Sequence, residues 1–100
     1  SMDIVVTIPK DRYKDDDSEN KWLEQSNTNR SYLKIAKTPR KLKVGDRVWF
    51  VRDNKIHSSM KVGQCGSKVR GGVFRIFMDD FRYESGEEHR EFTGFKYYSK

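Results

Sequence analysis

One cysteine in 100 residues, Cys65, leaves no partner for an internal disulfide. That usage suits a reducing cytoplasm. Two scattered histidines, His57 and His89, complete a poor set of soft ligands. A structural zinc site needs about four ligands at short paired spacings, so no metal is expected. A cysteine nucleophile would need one of those histidines beside it, but a lone cysteine is more commonly a small, partly buried side chain. No apolar run approaches the roughly 18 residues of a membrane span. No basic start followed by an apolar core marks a signal peptide, and Ser1-Met2 reads as a tag remnant. GxxxxGK[ST], GxGxxG and GxSxG are all missing, which argues against a P-loop, a dinucleotide fold and a nucleophile elbow. No cofactor is expected.

What is present is charge and aromatic surface. Charged residues make up 36% of the chain and aromatics 13%. The aromatic share argues against a disordered chain, and the length fits one domain over 1–100 with one small core. The net charge of +6 is unevenly spread. Residues 1–20 hold three basic and six acidic side chains, 21–76 hold fourteen and three, and 77–100 hold four and six. A central block of +11 between acidic ends suits a polyanionic partner, because neutralised phosphates release counterions. The plain alternative is a solvated surface that maintains solubility.

The pattern of residues is mainly β. DIVVTI at 3–8 is β-branched and ends at Pro9. The charged stretch KDRYKDDDSEN reads as a loop whose three adjacent aspartates fit no calcium-loop spacing. Asp17 or Ser18 caps a short expected helix through Glu24, with Trp22 and Leu23 as its core contacts. QSNTN at 25–29 is a polar loop. RSYLKIAK at 30–37 alternates, with Leu33 and Ile35 on one face and Tyr32, Lys34 and Ala36 on the other. Thr38-Pro39 stops it, and a basic connection leads to Gly45-Asp46. RVWFVR at 47–52 sets Val48, Phe50 and Arg52 against Arg47, Trp49 and Val51. Asp53-Asn54 is a hairpin turn, and a strand returns over 55–63 with Ser58-Ser59 as a bulge. The glycine-rich QCGSKVRGG at 64–72 reads as a mobile loop, 73–78 as a strand, 79–91 as irregular, and 92–98 as the last strand. Five to six short strands with one helix predict a small barrel or sandwich, an α+β chain that is mainly β.

Aromatics lie among bases at three places: Tyr32 between Arg30 and Lys34, Trp49 between Arg47 and Arg52, and Tyr83 beside Arg82. Aromatic faces stack on nucleobases while Arg and Lys hold phosphates. Lys68 and Arg70 of the glycine-rich stretch are further phosphate candidates. Trp49 and Phe50 cannot both point inward on a regular strand, so one of them meets another layer or a cleft.

LKVGDRVWFV and the closing FTGFKYY, with the strand-helix start and the basic connection, resemble an ASCH-type domain of the PUA-like superfamily over about residues 3–98. The closing motif is similar to that of bacterial and phage-type members. The resemblance implies a small PUA-like β-barrel of five to six strands with a flanking helix, and a link to RNA: some members bind it, some cleave it, and some relatives read modified bases. One ASCH group hydrolyses the acetyl amide of N4-acetylcytidine with a Gly-Arg-Lys-Thr segment and a Glu. Its Lys-Thr pair falls on Arg30-Ser31 here, and its Gly-Arg on Thr28-Asn29. An arginine is not deprotonated, so it does not replace a catalytic lysine.

The expected function is binding of nucleic acid, RNA favoured, or of a modified nucleotide. Arg30, Lys34, Arg47, Arg52, Lys68 and Arg70 would meet phosphate, Tyr32 and Trp49 a base, and Ser31 a base edge. One alternative is a small amidohydrolase or ribonuclease using Ser31, Lys34 and Glu84. Another is a phage or bacterial protein-interaction module. No membrane is expected, and the oligomeric state is open.

Overall fold

The computed structural model describes residues 1–8, 31–69 and 73–99. The expected helix at 17–24 lies outside them, and among the described residues there is no helix, so none long and apolar enough to cross a membrane. Six strands are present: β1 Asp3–Thr7, β2 Ser31–Ile35, β3 Arg47–Arg52, β4 Lys55–Val69, β5 Val73–Tyr83 and β6 Phe95–Tyr98. They form one sheet in the order β2-β5-β4-β3-β1-β6. β1 runs parallel to β3, and every other pairing is antiparallel. The sheet curls into a half-barrel with β2 and β6 as its edges. Between those edges Val6, Ile8, Leu33, Ile35, Phe50 and Gly94 line an apolar cleft of about 330 Å³.

The alternation read in the sequence explains which residues are buried. Val48 and Phe50 of β3 join Ile4, Val6, Met60, Val62, Ile76 and Met78 in the core on the concave face. Removal of a large side chain such as Phe50 from such a core costs about 3–5 kcal/mol. Trp49 and Val51 point the other way and form a second core with Val5 and Ile56, covered by Phe92 and Tyr98. β3 is therefore buried on both faces.

Bulges produce the curl. Phe50 pairs with Ser58 but Val51 with Ile56, so His57 is an extra residue on β4. The insertion moves Ile56 to the second core, because a one-residue slip exchanges the two faces. The bulge lies one residue before the expected Ser58-Ser59. Three more register shifts separate β4 from β5. One of them coincides with Gly66, where a Cβ would sit 3.1 Å from the Arg75 carbonyl oxygen. The expected loop at 64–72 is thus largely strand: β4 continues to Val69 and β5 starts at Val73. Likewise β5 runs on through Asp79–Tyr83, and β6 begins only at Phe95. The β3–β4 turn is as expected, with positive φ at both Asp53 (53°) and Asn54 (59°), the pattern of a type I′ hairpin.

Candidate nucleic-acid interface

The connection between β2 and β3, residues 36–46, crosses one end of the sheet. Leu42 anchors it in the concave core, and buried Pro39 accepts the Leu42 N–H at 3.1 Å. Backbone bonds fix it further: Met2 N–H to Lys41 O (2.9 Å) and Gly45 N–H to Val62 O (2.9 Å). The Asp46 carboxylate accepts the Lys43 N–H at 2.8 Å and closes the turn before β3. With the backbone held from inside, Lys37, Arg40, Lys41 and Lys43 are exposed. Tyr97 of β6 accepts the Lys41 N–H through its hydroxyl, and the Lys41 ammonium lies 5.6 Å from its ring centroid. Lys61 is exposed opposite Arg47 on the neighbouring strand. Lys34 and Arg75 are exposed directly across from each other on β2 and β5.

Acidic side chains collect at the opposite end, about 20 Å away along β3 by strand rise. Glu84 to Glu91 pack on the β3–β4 hairpin. The Ile56 N–H donates to Glu87 O (2.7 Å), the His89 N–H to Asn54 O (3.0 Å), and the Asp53 N–H to the Glu91 carboxylate (3.1 Å). Here Arg52, Lys55, His57, Tyr83 and Glu84, with Asp53, Ile56 and Gly86, line an open cleft of about 410 Å³.

The convex face between these ends carries a polar network. Asp3 accepts the Arg47 backbone N–H (2.8 Å) and the Trp49 indole N–H (3.0 Å). Arg47 Nε donates to Ser59 Oγ (2.9 Å), and the Ser59 hydroxyl donates to Glu84 Oε1 (2.5 Å). Both Arg47 and Arg82 grip the Asp80 carboxylate, at 3.1 and 2.7 Å. The Arg47 guanidinium first, and Arg82 beside it, hold that carboxyl below its ordinary value.

These positions correct several expectations. Trp49 is 7% exposed and packed against Tyr98, so its ring belongs to the second core and offers no face to a base. Arg47 is engaged with Ser59 and Asp80 rather than aimed at solvent. β5 and β4 lie between β2 and β3, the strands that carry the expected stacking residues Tyr32 and Trp49. Nor does the register assemble Ser31, Lys34 and Glu84 into a hydrolytic set. Ser31 sits opposite Met78 and Lys34 opposite Arg75, six and nine residues along β5 from Glu84. At about 3.3 Å per residue that is roughly 20 and 30 Å along the strand.

Lys34 is exposed on the basic side, and Arg52 lines the cleft at the other end. Arg30 and Arg70 lie outside the described residues, while Ser31, Tyr32 and Lys68 are described by strand position only. Sequence reasoning missed Lys37, Arg40, Lys41, Lys43 and Tyr97. The density of bases in 37–43, interrupted by Pro39 and the apolar Leu42, was the available signal.

Among the described residues no group of three His, Cys, Asp or Glu is arranged to hold a metal. Burial pushes the Cys65 thiol up, against the opposing pull of Lys43, which is the reverse of an activated nucleophile. No family model, curated protein or solved structure matches this chain.

Proposed function

We propose that the protein is a nucleic-acid-binding module, with RNA the favoured ligand, that holds the sugar-phosphate backbone across its basic end. The observation that carries this reading is the separation of charge. Lys34, Lys37, Arg40, Lys41, Lys43, Lys61 and Arg75 are all exposed on or beside the 36–46 connection, and the acidic segment occupies the other end. A fixed field of this kind draws in and orients a polyanion. Tyr97, 37% exposed and next to Lys41, supplies an aromatic ring where a base can stack. The ASCH-type, PUA-like assignment belongs to this proposal. The Gly45-Asp46 turn that opens β3, the curled sheet and the closing Phe95–Tyr98 strand support it.

The test is anisotropy of a labelled single-stranded RNA titrated with the protein at several salt concentrations. The logarithm of affinity should fall linearly with the logarithm of salt, by about 0.7 per phosphate contact. Absence of binding at low salt contradicts the reading.

A further inference from the structure

The half-barrel is open along one side, because its edge strands β2 and β6 are not paired with each other. The cleft between them leads into the concave core. Phe50, Val6, Ile8, Leu33 and Ile35 line it, and all five belong to that core cluster. Small residues hold the mouth open: Ala36 just past β2 on one side, Thr93 and Gly94 just before β6 on the other. Gly94 has a φ of 83°, which glycine adopts without strain, and a Cβ there would meet no atom within 4 Å. The β6 side is fixed in place, because Thr7 Oγ1 accepts the Phe92 N–H at 2.9 Å. Charge at the mouth has one sign. Lys34 lines the cleft and is exposed, exposed Lys37 follows Ala36, and Arg75 lies across from Lys34 on β5. None of the lining residues is acidic, and Thr7 and Thr93 bring hydroxyls that donate to oxyanions.

We propose that this cleft binds a small amphipathic anion, an alkyl carboxylate of medium length. Its hydrocarbon chain lies on Phe50 between the Leu33–Ile35 and Val6–Ile8 sides, and its carboxylate meets Lys34 at the mouth. An apolar floor beneath a cationic rim is complementary to a molecule that is apolar at one end and anionic at the other. The volume, about 330 Å³, falls at the lower end of the roughly 300–1,000 Å³ of small-molecule sites, which sets the length of the chain. A nucleobase is a poorer fit, because its hydrogen-bonding edges would be buried against five side chains that have no polar atom. Burial of the chain supplies most of the affinity, and the exposed lysine adds a smaller, screened part. The site is distinct from the phosphate-binding surface proposed for residues 36–46, so it does not depend on the nucleic-acid reading.

The experiment titrates the wild-type protein with hexanoate, octanoate and decanoate, each below its micellar concentration, and with octanol. Calorimetry reads affinity, and backbone amide NMR shifts locate the site. Affinity is expected to rise about two- to four-fold per added methylene until the cleft is full. The largest shifts should fall on Val6, Leu33, Ala36 and Gly94. Octanol should bind about two- to five-fold more weakly than octanoate, and Lys34→Ala should abolish that difference. Thr93→Trp, at an exposed position, fills the cleft and should lower octanoate affinity about ten-fold or more, with the amide spectrum elsewhere unchanged. RNA affinity of this variant should stay within about two-fold of the wild type. An affinity independent of chain length, or shifts spread over the surface lysines and not the cleft, would show that the probe is only a counterion and overturn the inference. A wild-type protein that binds none of the probes overturns it as well. So does a dimer that dissociates in Thr93→Trp, because a second copy then fills the cleft.

Discussion

Asp80 shows how one side chain sets the geometry of its neighbours. It has a positive φ of 52°, a conformation that aspartate tolerates better than most residues, and lies within a β4–β5 register shift. Its carbonyl and carboxylate both accept from Arg47, and Arg82 adds a second cation. Two guanidiniums thus converge on one charge. Because the carboxyl is held below its ordinary value of 3.8, its contribution is complete above that value and is lost as pH falls through the lower folded value. Asp80→Asn keeps the backbone tolerance and removes the charge. Its urea midpoint should lie below that of the wild type at neutral pH, and the two should converge on acidification. A constant difference across pH would contradict the assignment. The roles of Asp80, Asp3 and Ser59 were hidden in the sequence, because each depends on partners 33, 44 and 25 residues away.

At the scale of elements, local chemistry was readable and pairing was not. The Asp53-Asn54 turn was legible because two adjacent residues tolerant of positive φ stood between two strand-like runs. Asn54 also accepts the Glu91 N–H at 3.0 Å, so it ties the acidic segment to the hairpin. Asn54→Ala should therefore cost about 1–2 kcal/mol from the left-handed backbone alone, with a further loss from the missing acceptor. Asn54→Gly should recover most of the backbone part, as measured by urea unfolding. Equal midpoints for the two variants would mean that the turn imposes no such constraint. By contrast, Gly66 read as a loop residue, yet it lies at a bulged position of a fifteen-residue strand. The second core was also illegible. Alternation on β3 shows that Trp49 and Phe50 diverge, but nothing local shows that residues 92 and 98 return to cover the outer face.

Over the whole molecule, the charge blocks visible in the sequence become two ends of a half-barrel. The basic middle was legible by counting. Which of its members reach solvent was not, because that depends on buried Pro39 and Leu42 and on the partners of Arg47. In the proposed binding mode the connection, rather than β3, meets the phosphate backbone. The most direct test is RNA affinity as a function of salt for the triple variant Lys37→Ala, Arg40→Ala, Lys43→Ala, whose side chains are exposed and whose removal leaves the core intact. Weaker binding is expected, with a salt slope shallower by about 2, near 0.7 for each phosphate contact removed. An affinity and slope equal to those of the wild type would contradict it.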